Sequence, residues 1–444
     1  MANSYLTHTT STPTNNDICT ISFWTKFSNV GSDLGVFSQH TDSNNRIQLA
    51  RLTSGALSLF QKVSSTIEIS ITTNRLFRDV SAWYHVVIAF DTTQSTASDR
   101  VKFYVNGVQE TSFSVSTYPS QNTNIRFNSS SLSQEIGRIT ADTYMDGYMS
   151  HVAFVDGQAL SPTVFGQTDS TSGIWKFKSP TGVTWGTNGF HLKFENSGNL
   201  GLDSSGNSNT FTVNGNGRQS LDTPSNVYAT LNPLHRGNKL NEATFSNGNT
   251  THEGTTSGSS YPYTFSTLAP SKGKWYAEFK NSPSGDCIIG IGAGIPDVFL
   301  GNTSSAYSAS YYRTGQYYTS GSGNNYGSAL SNNDIVGVAM DLDNNKLYFS
   351  INGTWQNSGV PTSGSTGTGA ISITGTASNT TGVYHFACGK AGNDPTDLQA
   401  NFGNGYFGTT AISSAGSNGN GSLFEYDVPT GYYALNTKNL NTYG

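Results

Sequence analysis

The stretch Asn332–Trp355, NNDIVGVAMDLDNNKLYFSINGTW, leaves a chain few folding options. Ile335–Asp341 is a compact apolar run. Asp343, Asn344 and Asn345 follow as turn residues, because short polar side chains bond their own backbone and tolerate left-handed geometry. Lys346–Ile351 then alternates, with Leu347, Phe349 and Ile351 on one side and Lys346, Tyr348 and Ser350 on the other. That period of two is the mark of a half-buried strand. Asn352-Gly353 supplies a second tight turn, since both residues accept positive φ. Three strands fit into 24 residues, and no helix does.

The same syntax recurs through the chain. TISFWTKF (20–27) sets Ile21, Phe23 and Thr25 against Ser22 and Trp24. GVFSQH, RIQLARL and ALSLFQKV follow, each bounded by Gly, Ser or Asn. WYHVVIAFD (83–91) places Val86, Ile88 and Phe90 on one face, and VKFYVNG (101–107) alternates into an Asn106-Gly107 turn. After the strand in DGYMSHVAFVDGQAL (146–160), Ser161-Pro162 predicts one capped helical turn, the only helix expected in the first half. Charged residues make up 11% of 444, against roughly a quarter in an ordinary globular chain. Ser, Thr, Asn and Gly take their place, while 24 Phe, 23 Tyr and 6 Trp supply more aromatic surface than a disordered chain carries. The expectation is an all-β protein: two antiparallel β-sandwich (jelly-roll) domains in tandem.

TISFWTKF, AWYHVVIAFD, VKFYVNG and DGYMSHVAFVDGQALSP, in this order, resemble the laminin-G/pentraxin-like division of concanavalin A-like lectin domains. That resemblance spans about residues 1–170 and implies a jelly-roll sandwich. GKWYAEFK (273–280), CIIGIGAG (287–294), YYRTGQYY (311–318), Asn332–Trp355 and YHFACGKAG…LQANFG (384–403) resemble a SPRY domain, which implies a bent sandwich that recognises proteins through loops. Between them, DSSGNSN and DTPSNVYATLNPL resemble text in structural proteins of marine tailed bacteriophages. The expected layout is 1–220 as the first sandwich, 221–240 as a linker, and 241–407 as the second sandwich. In 408–444, GTTAISSAGSNGNGS reads as a flexible link. The five large groups Phe424, Tyr426, Tyr432, Tyr433 and Leu435 predict that the tail beyond it packs back.

Chemistry is sparse. Jelly-roll glucanases need paired carboxylates at alternate positions of one strand, whereas Glu135, Asp146 and Glu195 stand alone. Asp341-x-Asp343-x-Asn345 begins like a calcium loop but has Lys346 at position 6 and Asn352 at position 12. Asp203-Ser204-Ser205-Gly206-Asn207 reads as a turn before a cation site. Calcium is left open with no motif to hold it, and no cofactor is expected. The eight histidines form no metal motif, and His85 and His151 lie in strand text as satisfied sandwich residues. Neither a nucleophile elbow nor a P-loop is present, and GIGAG (290–294) lacks the following helix. Cys19, Cys287 and Cys388 are odd in number, so buried free thiols are expected.

A net charge of −5 without a basic cluster excludes nucleic acid as an expected partner. No run approaches 18 apolar residues, and the N-terminus lacks the basic start and apolar core of a signal peptide, so neither a membrane span nor secretion is expected. The candidate ligand-binding residues are Tyr311, Tyr312, Tyr317, Tyr318, Tyr326 and Trp355, the first five set with Tyr307 in Ser/Gly/Asn-rich text like that of recognition loops. The functional expectation is a non-enzymatic phage virion protein, a tail fibre or capsid decoration, made in the host cytoplasm. Its expected partners are other virion proteins and a host-surface glycan or protein, in a homo-oligomer such as a trimer. The alternatives are a subunit that contacts only other virion proteins, and a polysaccharide-degrading enzyme.

Overall fold

The computed structural model describes residues 3–236, 243–254, 261–281, 285–294, 300–301, 307–390, 392 and 396–444. The chain divides into two compact units that exchange near residue 220. One holds Met1–Gln219 with Thr223–Ser225, and the other holds Ser220–Asp222 with Asn226–Gly444. Each is an antiparallel two-sheet sandwich, so the molecule is all-β, as the period-two patterns require.

In the first unit an eight-stranded sheet runs Phe113–Thr117, Thr66–Leu76, Ala56–Val63, Asn45–Arg51, Leu34–Asp42, Ser133–Ile136, Tyr5–Thr9, Thr212–Asn214. The facing sheet has six strands: Phe190–Leu192, Gly147–Asp156, Ile18–Phe27, Tyr84–Asp91, Val101–Val105, Val108–Gln109. Alternate residues from both sheets meet in one core, with Phe23, Ile88, Phe103 and Phe154 from the smaller sheet against Phe37, Leu49, Leu59 and Ile71 from the larger. The helical turn predicted after residue 160 is the 3-10 turn Pro162–Val164, whose Ser161 side chain accepts from the Thr163 N–H, but it is not the only one in the first half: Ala97–Asp99 and Arg126–Asn128 are 3-10 turns as well.

The second unit pairs a seven-stranded sheet with a nine-stranded one. The first runs Leu231–Arg236, Tyr263–Ser266, His385–Lys390, Cys287–Gly292, Ser308–Tyr312, Gln316–Thr319, Ser322–Asn325. In the second, Lys274–Asn281 lies between Thr396–Asn401 and Ile335–Asp341, and the meander of Asn332–Trp355 continues outward through Lys346–Ile351 and Thr354–Trp355. Asn345, Asn352 and Gly353 all take positive φ, at 57°, 47° and 78°, as their turns demand.

Half-burial is where the structure departs from the sequence reading. Ile18–Phe27 is buried on both faces from Cys19 onward, and Tyr348 is as fully buried as Leu347 and Phe349. The outer face of each of these sheets is covered by its own unit. Residues 160–185 cover the six-stranded sheet through Phe165, Leu160, Val183 and Trp185. The C-terminal segment covers the nine-stranded sheet through Phe424, Val428, Tyr432 and Ala434, and Tyr433–Ala434 adds a parallel strand beside Lys274–Asn281.

Two expected boundaries need correction. The linker assigned to 221–240 is in large part folded: Tyr228, Ala229 and Leu231 are buried, and Leu231–Arg236 is an edge strand. An edge tolerates Pro233, which has no N–H to give, and residues 237–240 lie outside the described ones. The flexible link at 408–422 is also tied down. Gly416 N–H donates to Phe424 O, Asn418 Nδ2 to Val428 O, and the Ser422 hydroxyl meets Tyr228 Oη at 2.8 Å. Ser, Asn and Gly serve here as turn formers, with their polar groups spent on neighbouring backbone.

Candidate functional site

The six candidate residues fall into three places. Tyr311 points into the core, fully buried, with its hydroxyl donating to Ser328 O. Tyr326 is 6% exposed and donates to Gly369 O at 2.9 Å. Tyr317 leans edge-on against Tyr326 on the same inner side. Trp355 packs edge-on against Tyr348 on the other sheet. Only Tyr312 and Tyr318 project from the outer side of the seven-stranded sheet, because they sit one step out of phase with Tyr311 and Tyr317. Both are half-exposed, perpendicular at 85°, with centroids 5.7 Å apart. Gln316 lies on the same side, its Oε1 3.4 Å from Tyr318 Oη. Burial, with Asp286 nearby, pushes the Tyr312 hydroxyl up to about 12, so it is a neutral hydrogen-bonding group at physiological pH. Tyr311 and Tyr326 are therefore core residues, whose burial contradicts a ligand-facing role, and Tyr317 is partly buried against them.

The carboxylates considered for hydrolysis are occupied or separate. Glu135 takes a bidentate ion pair from Arg138, with contacts of 2.8 and 2.6 Å. Asp146 precedes a strand of the opposite sheet, and burial pushes its carboxyl up to about 6. Glu195 is exposed, 3.8 Å from Lys193 Nζ. Asp341 holds Lys274 at 3.1 Å and accepts from the backbone and side chain of Asn344, while Asp343 accepts from Gly273 N–H. These are turn bonds, as the residue pattern implies. Asp203 likewise accepts from the His191, Ser205 and Asn209 N–H groups. Cys287 and Cys388 face inward on adjacent strands, opposite Lys390 and Ile289, and all three thiols are free and buried.

Two polar constellations escaped the sequence reading. Ser22 Oγ and His85 Nε2 lie 2.9 Å apart, the separation of a nucleophile and its base. The tautomer is wrong for that role. Trp175 Nε1–H, which can only donate, points at His85 Nδ1 at 2.9 Å, so Nδ1 is bare and Nε2 carries the proton. His85 then donates to Ser22 and has no lone pair to take its proton. Burial holds this imidazole down to about 3. The available signal was the pairing of Ser22 and His85 at polar positions of two facing motifs; Trp175, some 90 residues away, gave none.

The other constellation is Glu278, fully buried on the outer face of the nine-stranded sheet. Its Oε2 accepts from Glu425 N–H at 2.8 Å and Asn401 Nδ2 at 3.3 Å. Its Oε1 accepts from Tyr426 N–H at 2.9 Å and Tyr276 Oη at 3.2 Å. Burial outweighs these four donors and pushes the carboxyl up to about 7. A lone Glu in the middle of GKWYAEFK was the signal for it. A small pocket of about 180 Å³ beside Lys193, Asn199 and Ser204 is below the size of ordinary ligand sites. Among the described residues no helix is long and apolar enough to cross a membrane.

Comparison with known proteins bears on the first unit. Residues 1–164 match the family model of the concanavalin A-like lectin/glucanases superfamily, laminin-G type. No curated protein matches the chain. Among solved structures, the SPRY domain of human HERC1 is 13% identical, with 38% of this chain and 96% of that one covered and a TM-score of 0.29. A heptameric SAP-like pentraxin from Limulus polyphemus is 16% identical, with 41% and 82% covered and a TM-score of 0.29. Stonustoxin is 17% identical, with 39% and 27% covered and a TM-score of 0.28. The family match takes in less than half of the chain, and within it residues 1–164 are similar to a lectin-like sandwich.

Proposed function

We propose that this chain is a non-catalytic recognition protein of a tailed bacteriophage particle, a tail fibre or capsid decoration, that binds a host-surface glycan. The observation that carries the recognition reading is the perpendicular, half-exposed pair Tyr312–Tyr318, with the Gln316 amide beside it. Two rings at right angles offer a stacking face and a wall to a pyranose, and an amide and two phenols supply directional hydrogen bonds. The lectin-like match of residues 1–164 supports the same class, and the phage-like text DTPSNVYATLNPL supports the particle. Virion proteins are the remaining partners in this reading, and assembly as a homo-oligomer accompanies it.

A glycan array probed with the full chain tests the binding. Signal on one or more glycans is expected, with Tyr312→Ala and Tyr318→Ala each lowering it at least tenfold; a blank array overturns the glycan reading. Mass spectrometry of purified particles tests the setting, and a virion proteome without this chain refutes it. The second reading is a subunit that contacts only other virion proteins. It is favoured by the burial of Tyr311 and Tyr326, which shortens the exposed aromatic surface.

A further inference from the structure

The outer face of the six-stranded sheet in the first unit carries three imidazoles, and each meets one ring of the segment that covers it. His85, on Tyr84–Asp91, accepts the Trp175 indole N–H and stacks parallel to that ring at 6.0 Å. His151 sits at a bulge of Gly147–Asp156, with φ of 48°, and lies face to face on Phe177 at 3.5 Å. His191, on Phe190–Leu192, stacks on Trp185 at 5.7 Å. Trp175 and Phe177 belong to one strand of the short hairpin Gly166–Thr168 with Trp175–Phe177. The indole of Trp175 lies so close over Gly107 and Gly166 that a Cβ on either would be about 2.5 Å from the ring.

We propose that residues 160–185 are an acid-released cover, whose hold on the sheet includes three imidazole–aromatic clamps that require neutral histidines. At His85 a second proton would have to enter on Nδ1, where it would face the Trp175 N–H, donor against donor. At His151, Nδ1 is buried without a hydrogen-bond partner, so a proton there has nothing to receive it. His151 and His191 stand 5.6 Å apart, and charging one disfavours charging the other. The groups facing the three rings from the sheet are Ser22, Trp24 and the imidazoles themselves, and those from the cover are Trp175, Phe177 and Trp185. Lys193 opposes protonation of both His151 and His191. Asp203 favours it only at His191, and its carboxylate is already engaged with backbone N–H groups.

Burial holds the three imidazoles near 3, 4 and 4, against 6.5 in water. Lifting the cover returns them to water and lets them protonate, so the uncovered form gains on the covered one as pH falls below 6.5. The three imidazoles lie on the outer face of the sheet; the core's Phe211 meets a separate one, His8, which burial also lowers. Release would bare Val87, Ala153 and Val155, an apolar strip hidden at neutral pH.

Amide hydrogen exchange on the full chain, corrected for intrinsic rates, tests this at pH 7.5 and 4.5. The amide of Asp156, which bonds to Trp185 O and so joins sheet to cover, is expected to lose protection at least tenfold at the lower pH, together with those of Asp169 and Lys178 inside the cover. Those of Ile18–Phe27 and Tyr84–Asp91 should keep theirs. Unchanged protection of the cover overturns the proposal, and so does loss of cover and sheet together. A chain with His85→Gln, His151→Gln and His191→Gln should, if it folds, keep its cover at pH 4.5; if it does not fold, the exchange data on the native chain decide.

Discussion

At Glu278 four donors converge on one carboxyl group, and two of them are backbone N–H groups of the C-terminal segment. A buried N–H that loses its acceptor costs about 1–3 kcal/mol. Glu278→Ala strands two of these and should lower stability by about 2–6 kcal/mol in urea unfolding. The same group titrates in an informative direction. Its folded pKa of about 7 lies above the 4.5 of a free glutamate, so its contribution is fully present below 4.5 and is lost as pH rises through 7. The difference corresponds to on the order of 3 kcal/mol. Glu278→Gln should remove that slope while keeping an acceptor for part of the network, and an unchanged pH profile would show the carboxyl is not the titrating group. Glycine offers a second comparison. Gly107 and Gly206 both have positive φ, at 81° and 99°, but a Cβ at Gly107 meets the Trp175 ring and one at Gly206 meets nothing within 4 Å. Gly206→Ala should cost about 1–2 kcal/mol from backbone strain alone. Gly107→Ala should cost more and shift tryptophan fluorescence, and equal costs would mean that the indole is not packed as described.

The strands themselves were legible because alternation and turn residues are local signals. Ile335–Asp341, Lys346–Ile351 and the Asn352-Gly353 turn lie where the pattern of Asn332–Trp355 places them. What covers an outer face is not local. Tyr348 and Trp24 read as solvent-side residues, yet Tyr348 is buried by a segment more than 70 residues later and Trp24 is buried against His85 of the neighbouring strand. The same limit applied to the candidate site: clustered tyrosines were visible, but the phase of each strand decides that Tyr312 and Tyr318 face out while Tyr311 and Tyr317 face in. The covering segments are therefore where an element-scale test has most force. Phe424, Val428 and Tyr432 each bury a side chain worth about 1.5–3 kcal/mol. Their sum is comparable to the whole stability of a domain. A chain ending at Leu423 should expose Tyr228, Tyr276 and Tyr348, bind a hydrophobic dye such as ANS, and lose near-ultraviolet circular dichroism. Native spectra in that truncated chain would show that the tail is an accessory.

Across the whole chain the two units carry different balances of buried titratable groups, and their acid responses should differ. In the first, His85, His151 and His191 have folded pKa values of about 3, 4 and 4. Their contribution is complete above 6.5 and is lost as pH falls toward 4. Asp146, pushed up to about 6, works in the opposite sense but is one group against three. In the second unit Glu278 gains as pH falls from 7 to 4.5, while His385, held down to about 4 by burial, loses over a similar range. Glu278 offsets part of that loss, to which His235, lowered by burial, and Asp427, lowered by bonds from Ser417, also add. Scanning calorimetry of the full chain should resolve two transitions, because each unit has its own core. Between pH 7.5 and 5 one should move down by several degrees and the other, partly compensated by Glu278, should move less. Glu278→Gln identifies the second, since removing its compensating carboxyl should make that transition fall with acid as well. Two transitions that shift together in the native chain would mean that the imidazoles of the first unit are not held neutral by burial, and the acid-released cover would fall with them.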